Sequence, residues 1–135
     1  MTAHKVNLMG FFSDIKTATK NAADRTNQEL ETQKLKSEIN SLNSDTNKAY
    51  SEIGQLYYQN VKDPNADFAG KSKEIVDRID SNFAKIEELN KQIEEIIAEH
   101  ESNRETNRAE AEAEEARRKE EKAQKQAEKE AAKKQ

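Results

Sequence analysis

The sequence predicts an all-α fold: a long antiparallel two-helix coiled-coil hairpin with an extended charged C-terminal helix. Three observations lead there. The chain has one proline, Pro64, near its middle. Apolar residues recur at heptad spacing on both sides of it. The two spacings are also mirror images. Exchanging residue n for 128 − n carries Ile53, Thr46, Ile39 and Thr32 onto Ile75, Asn82, Leu89 and Ile96. The same operation carries Ala49, Leu42, Leu35 and Gln28 onto Ile79, Ile86, Ile93 and His100. Each a position thereby meets a d position, as two antiparallel helices joined by a tight connection require.

The elements follow in chain order. Residues 1–12 read as a short apolar leader containing Val6, Leu8, Met9, Phe11 and Phe12, and Ser13 and Asp14 offer N-cap chemistry for a helix after it. Residues 13–100 read as the hairpin. Its first arm meets only one glycine, Gly54, before Asn60. Residues 16–34 are helical in composition but sustain no apolar seam, whereas Leu35–Leu56 carry a clear one. The turn is expected within residues 61–68, with Asp63 as a cap beside Pro64, because proline cannot donate to the preceding helical turn. From Lys71 to the C-terminus neither glycine nor proline intervenes. Past His100 the only apolar residues are alanines, so residues 101–135 form a charged tail that outruns its partner. Its alphabet has high helix propensity, and Glu114–Arg118, Glu115–Lys119, Glu121–Lys125 and Glu130–Lys134 are favourably oriented i,i+4 pairs. A solvated helix and a partly disordered tail are both compatible with that composition.

Composition excludes several classes. Leu, Ile, Val and Phe make up about 16% of the chain, below the ~20% that a globular core needs, while charged residues make up 37%. A two-helix hairpin tolerates this because each helix buries only a narrow stripe. The net charge of −4 disfavours nucleic acid as a partner, and the acidic neighbours of Arg117-Arg118-Lys119 weaken the one basic cluster. With no cysteine, disulfides and thiolate metal sites are excluded. No apolar run approaches the ~18 residues of a membrane span, and residues 1–12 lack a signal-peptide core, so a cytoplasmic location is expected.

The seam's two flanks differ in chemistry. On one, the g positions bring Glu52 to Arg78, Asp45 to Lys85 and Glu38 to Gln92; with the Thr46–Asn82 layer these oppose register slippage. On the other, the e positions are apolar: Tyr57 with Ala69, Tyr50 with Val76, Asn43 with Phe83, and Ile97 further along. These side chains either broaden the hairpin core or form an interaction flank of Tyr50, Tyr57, Val76, Phe83 and Ile97. The occupant of such a flank would be a second copy in a four-helix bundle, a different protein, or the chain's own leader.

No catalytic constellation emerges, and neither a cofactor-binding nor a metal site. His4 and His100 have no second histidine or cysteine at ligand spacing, and His100 opposite Gln28 reads as a polar end-layer. Asp63, Asn65 and Asp67 lack the glycine and distal glutamate of a calcium loop, and the three glycines are isolated. A two-helix hairpin also offers no concave, water-excluding site for a small-molecule substrate.

Met9-Gly10-Phe11-Phe12-Ser13-Asp14 and Tyr50-Ser51-Glu52-Ile53-Gly54-Gln55-Leu56-Tyr57-Tyr58 resemble segments of a group of small Gram-positive bacterial proteins. That group opens with MGFF, carries an E-I-G-x-L-Y-Y stretch before a turn, returns as a second helix and ends in a zinc ribbon. The resemblance spans roughly residues 9–100 and implies a bacterial cytoplasmic helical hairpin, with Met9 as the ancestral start. Here an A/E/K/R helix stands where the ribbon would be, and every cysteine is missing, so no zinc-dependent role transfers.

The expected function is that of a non-enzymatic structural or scaffolding protein acting by helix–helix association with itself or a partner helix. The alternative is a peripheral membrane module, in which Phe11, Phe12 and Ile15 contact the membrane beside Lys16 and Lys20.

Overall fold

The computed structural model describes residues 8–134, with side chains from Asp14 onward. Two helices, α1 (Leu8–Lys62) and α2 (Phe68–Lys133), form an all-α hairpin. The first helix is already under way at Leu8, so Ser13 and Asp14 do not cap its start, and residues 8–12 belong to α1 instead of a separate leader. Serine and aspartate cost only about 0.5 kcal/mol each inside a helix, too little to interrupt one that continues on both sides. At the other end α2 remains helical to Lys133, so the charged tail takes the helical alternative. The ion pairs Arg118–Glu114 at 2.6 Å and Lys119–Glu115 at 3.5 Å brace it at i,i+4 spacing.

The chain divides into two compact units, Glu29–Ile97 on the one hand and residues up to Gln28 with those from Ala98 on the other. The first unit contains the turn. Asp63 N–H still donates to the Gln59 carbonyl, closing α1. Pro64 then breaks the ladder, having no N–H to donate. The capping is done by Asn65 and not by Asp63. Asn65 Oδ1 accepts from the Asp67 N–H at 2.9 Å, its carbonyl accepts from the Phe68 N–H at 3.2 Å, and its own N–H donates to Asn60 Oδ1 at 2.9 Å. Asn65 thus forms an Asx turn immediately before the helix, the local geometry that asparagine favours. The Lys71 N–H then bonds the Asp67 carbonyl, opening α2.

Within Glu29–Ile97, every seam position from Thr32 to Asn60 is buried or half-buried, and so is every reflected position from Phe68 to Ile96. The reflection extends two layers beyond the expected ones, pairing Leu56 with Ser72 and Asn60 with Phe68. The innermost apolar residues are Ala49, Ile79 and Ile93, and beside them Thr32, Thr46 and Asn82 are equally buried. The hydroxyls remain satisfied inside the seam because each donates back to its own helix. Thr46 Oγ1 donates to the Leu42 carbonyl at 2.8 Å, Thr32 Oγ1 to Glu29 at 3.2 Å and Ser72 Oγ to Phe68 at 2.6 Å.

Truncating the most buried aliphatics, by Ile79→Ala or Ile93→Ala, will cost on the order of 2–4 kcal/mol in denaturant unfolding. Ala113→Ser, on the exposed part of α2, will cost less than ~0.5 kcal/mol. Equal losses at the two places would contradict a core confined to the seam.

Candidate functional site

The charged flank of the unit Glu29–Ile97 is organised by one side chain. Arg78 grips Asp45 through two parallel bonds, Nε to Oδ2 at 2.9 Å and Nη2 to Oδ1 at 2.7 Å. Its third nitrogen, Nη1, reaches Glu52 Oε2 at 2.7 Å, forming the expected pair on this flank. The planar guanidinium fork suits this bidentate grip of a carboxylate, which a lysine ammonium cannot make. Asp45 is therefore bound to Arg78, in place of the Lys85 expected from register alone. Asn82 completes the group, donating one amide hydrogen to Asp45 Oδ2 at 2.8 Å and the other to Thr46 Oγ1 at 3.2 Å. These bonds from Arg78, and then from Asn82, hold the Asp45 carboxyl well below the usual carboxylate range. In turn Asp45 and Glu52 hold the Arg78 guanidinium above its already high value.

The second unit revises two expectations in part. Residues 16–34 carry no apolar seam but a polar one up to Gln28, and α2 has a partner from His100 to Ala111, while residues 121–134 are exposed and outrun α1 as expected. Thr17, Asn21, Asp24 and Gln28 are buried or half-buried on α1, as are His100, Arg104, Asn107 and Ala111 on α2. Their spacing is again alternately three and four, and each pair obeys the reflection n to 128 − n. His100 opposite Gln28 is consequently the first of four layers, not an end-layer. Asn107 Nδ2 donates to Asn21 Oδ1 at 3.2 Å. Arg104 Nη1 bridges Asp24 Oδ2 at 3.0 Å and Gln28 Oε1 at 2.8 Å, while His100 Nδ1 lies 2.6 Å from Asp24 Oδ1. The side chains of Asp24, His100 and Arg104 are only 15%, 12% and 11% exposed. The bond from His100 is the main reason the Asp24 carboxyl lies below its ordinary range; burial opposes it and Arg104 adds to it. The available signal was the reflection itself, which pairs acid with base at Asp24–Arg104 and amide with amide at Asn21–Asn107; a search for apolar periodicity passes over both.

The expected interaction flank is in the open. Tyr50 (51%), Tyr57 (62%), Val76 (42%) and Phe83 (47%) are exposed, so they do not broaden the core, whereas Ile97 is half-buried. Of these, Tyr57 makes a ring contact, tilted against Phe68 with centroids 6.4 Å apart. The side chains of Phe11 and Phe12 lie outside the described residues, and Ile15 is exposed. No helix among the described residues is long and apolar enough to cross a membrane. Over the charged flank runs an open groove lined by Ser37, Glu38, Ser41, Leu42, Lys85, Glu88 and Leu89. Among the described residues no cluster of three or more His, Asp or Glu is placed to hold a metal ion.

No family model, curated protein or solved structure matches this chain. The likeness to the bacterial hairpin group therefore rests on its two motifs alone.

Both depressed carboxyls link stability to acid. Each binds its proton less readily folded than unfolded, so its contribution is complete above the unfolded carboxylate value near ~4 and is lost as pH falls through the lower folded values. Thermal melts will change little on account of these groups between pH 7 and 5 and will fall below about pH 4. In the Asp24→Asn/Asp45→Asn variant this acid-dependent loss will be shallower. An unchanged profile would show that other carboxyls govern it.

Proposed function

We propose that this chain is a non-enzymatic structural or scaffolding element that works as a coiled coil by associating with other helices, first of all with itself. The observation that carries the reading is the exposed row of Tyr50, Tyr57, Val76 and Phe83 in a chain whose surface is otherwise highly charged. Scattered exposed hydrophobics need no explanation, but four on one flank at heptad-related positions form a patch. Tyrosine suits a helix–helix contact because its ring packs while its hydroxyl stays at the wet rim. The polar groups of the Arg78 and Arg104 clusters, by contrast, are bound to one another across the hairpin. The motif resemblance implies a bacterial, cytoplasmic setting for such an element.

Sedimentation equilibrium will find the protein associated at tens of micromolar. Phe83→Glu, which places a charge in the exposed flank, will weaken association by about tenfold or more. Glu88→Lys, outside the flank, will leave it within about twofold. A wild-type chain that remains a folded monomer at this concentration would end the proposal.

A further inference from the structure

The outer face of α1 carries a second heptad stripe that the hairpin does not use. Asn40, Asn43, Asn47, Tyr50, Gly54, Tyr57 and Val61 succeed one another at alternate intervals of three and four, and all are exposed. None is charged. Between Asn40 and Val61 only Asp45, Lys48 and Glu52 are charged, and Asp45 and Glu52 are engaged by Arg78 on the opposite flank. In a chain with 37% charged residues, a solvated helix face of this length without charge calls for a cause.

Gly54 lies within this stripe, between Tyr50 and Tyr57, in the interior of α1. Glycine is the poorest helix former after proline, so its presence there is locally unfavourable. The hairpin itself supplies no compensation: a Cβ built on Gly54 meets nothing within 4 Å. A missing side chain on an outer face does permit another backbone to approach closely there, with the large side chains on either side closing around it.

We propose that two copies of this chain dock by crossing their α1 helices at Gly54, with Tyr50 and Tyr57 of each copy packed against the helix of the other. The inference rests on the self-association reading and assigns its contact site. A second copy fits better than a foreign partner for three reasons. An uncharged stripe offers no sign for a charged partner to complement. It lets two chains of net charge −4 meet without opposing like charges. It also presents the same patch from both sides, as a two-fold interface requires. The apolar side chains available are Tyr50, Tyr57, Val61, Val76 and Phe83, about half exposed each. At roughly 100 Å² apiece they give about 1,000 Å² over two copies, at the low end of specific interfaces and suited to a reversible dimer.

Five glycine variants test this by sedimentation equilibrium at low and high salt, thermal melts of dilute protein and, for the two cysteine variants, disulfide formation. Gly54→Ala will raise the melting temperature of the dilute hairpin, since the added Cβ meets nothing in its own chain and improves helix propensity, and Gly54→Leu will not lower it, leucine being nearly as good a helix former as alanine. Gly54→Leu will nonetheless raise the dimer dissociation constant by about tenfold or more. Gly70→Leu, at the other glycine with open space around it, will leave association within about twofold. The dissociation constant of the wild type will change little with salt, because no charges meet. Gly54→Cys, in a chain without other cysteines, will form an intermolecular disulfide under mild oxidation faster than Gly70→Cys. If Phe83→Glu breaks the dimer while Gly54→Leu leaves it intact or tightens it, the crossing at Gly54 is overturned and self-association through the flank stands. A monomeric wild type would overturn both and leave the stripe to a different protein.

Discussion

The Arg78 cluster is the constraint on which the hairpin's register depends. Two antiparallel helices with aliphatic seams can slide by a heptad and still bury hydrocarbon against hydrocarbon, because Ile and Leu are nearly interchangeable as partners. The polar layer is not interchangeable. A slip of seven residues would set Thr46 against Ile75 or Leu89, and Asn82 against Ile39 or Ile53. The second amide hydrogen of Asn82 would lose Thr46, and Arg78 could keep at most one of Asp45 and Glu52 instead of binding both together. Leaving such groups buried and unpaired costs more than the bonds themselves contribute when formed. The cluster therefore acts chiefly by making every other alignment unfavourable.

The same logic explains how a chain so poor in large apolar residues holds two helices together. In the unit Glu29–Ile97, threonine and serine enter the seam because their hydroxyls bond a carbonyl of their own helix, leaving a nearly apolar surface for the partner. In the other unit the seam is made of Asn21, Asp24, Gln28, His100, Arg104 and Asn107, whose bonds run from helix to helix. No buried side-chain nitrogen or oxygen among the described residues lacks a partner. Such a seam adds little net attraction, since its groups are also well solvated when separated. What it supplies is a defined pairing of residues.

The surface follows a different rule from the seam. Charge is spent on the g flank and along the exposed part of α2, while α1 from Asn40 to Val61 shows water an outer face of asparagine, tyrosine, glycine and valine. Stability of the hairpin does not require this division. Gly54 lowers helix propensity and Tyr50 and Tyr57 remain more than half exposed, so on both counts the chain departs from the choices that would best stabilise it alone. Departures of this kind are where an interaction surface is to be sought.

The sequence by itself determined the helical class, the turn around Pro64 and the antiparallel register. Each is a local or arithmetical property: a break in hydrogen-bond donation, a heptad period, a reflection relating two periods. The exposed flank was legible for the same reason, since e positions follow once a and d are assigned. Only the tertiary structure decided which polar residues are buried. Asn21, Asp24, Arg104 and Asn107 carry no apolar signal, and whether they face solvent or one another depends on a partner helix more than 75 residues away along the chain. It also decided that Asp45 binds Arg78 in preference to Lys85, because a guanidinium fork can satisfy two carboxylates at once and register alone does not weigh that geometry.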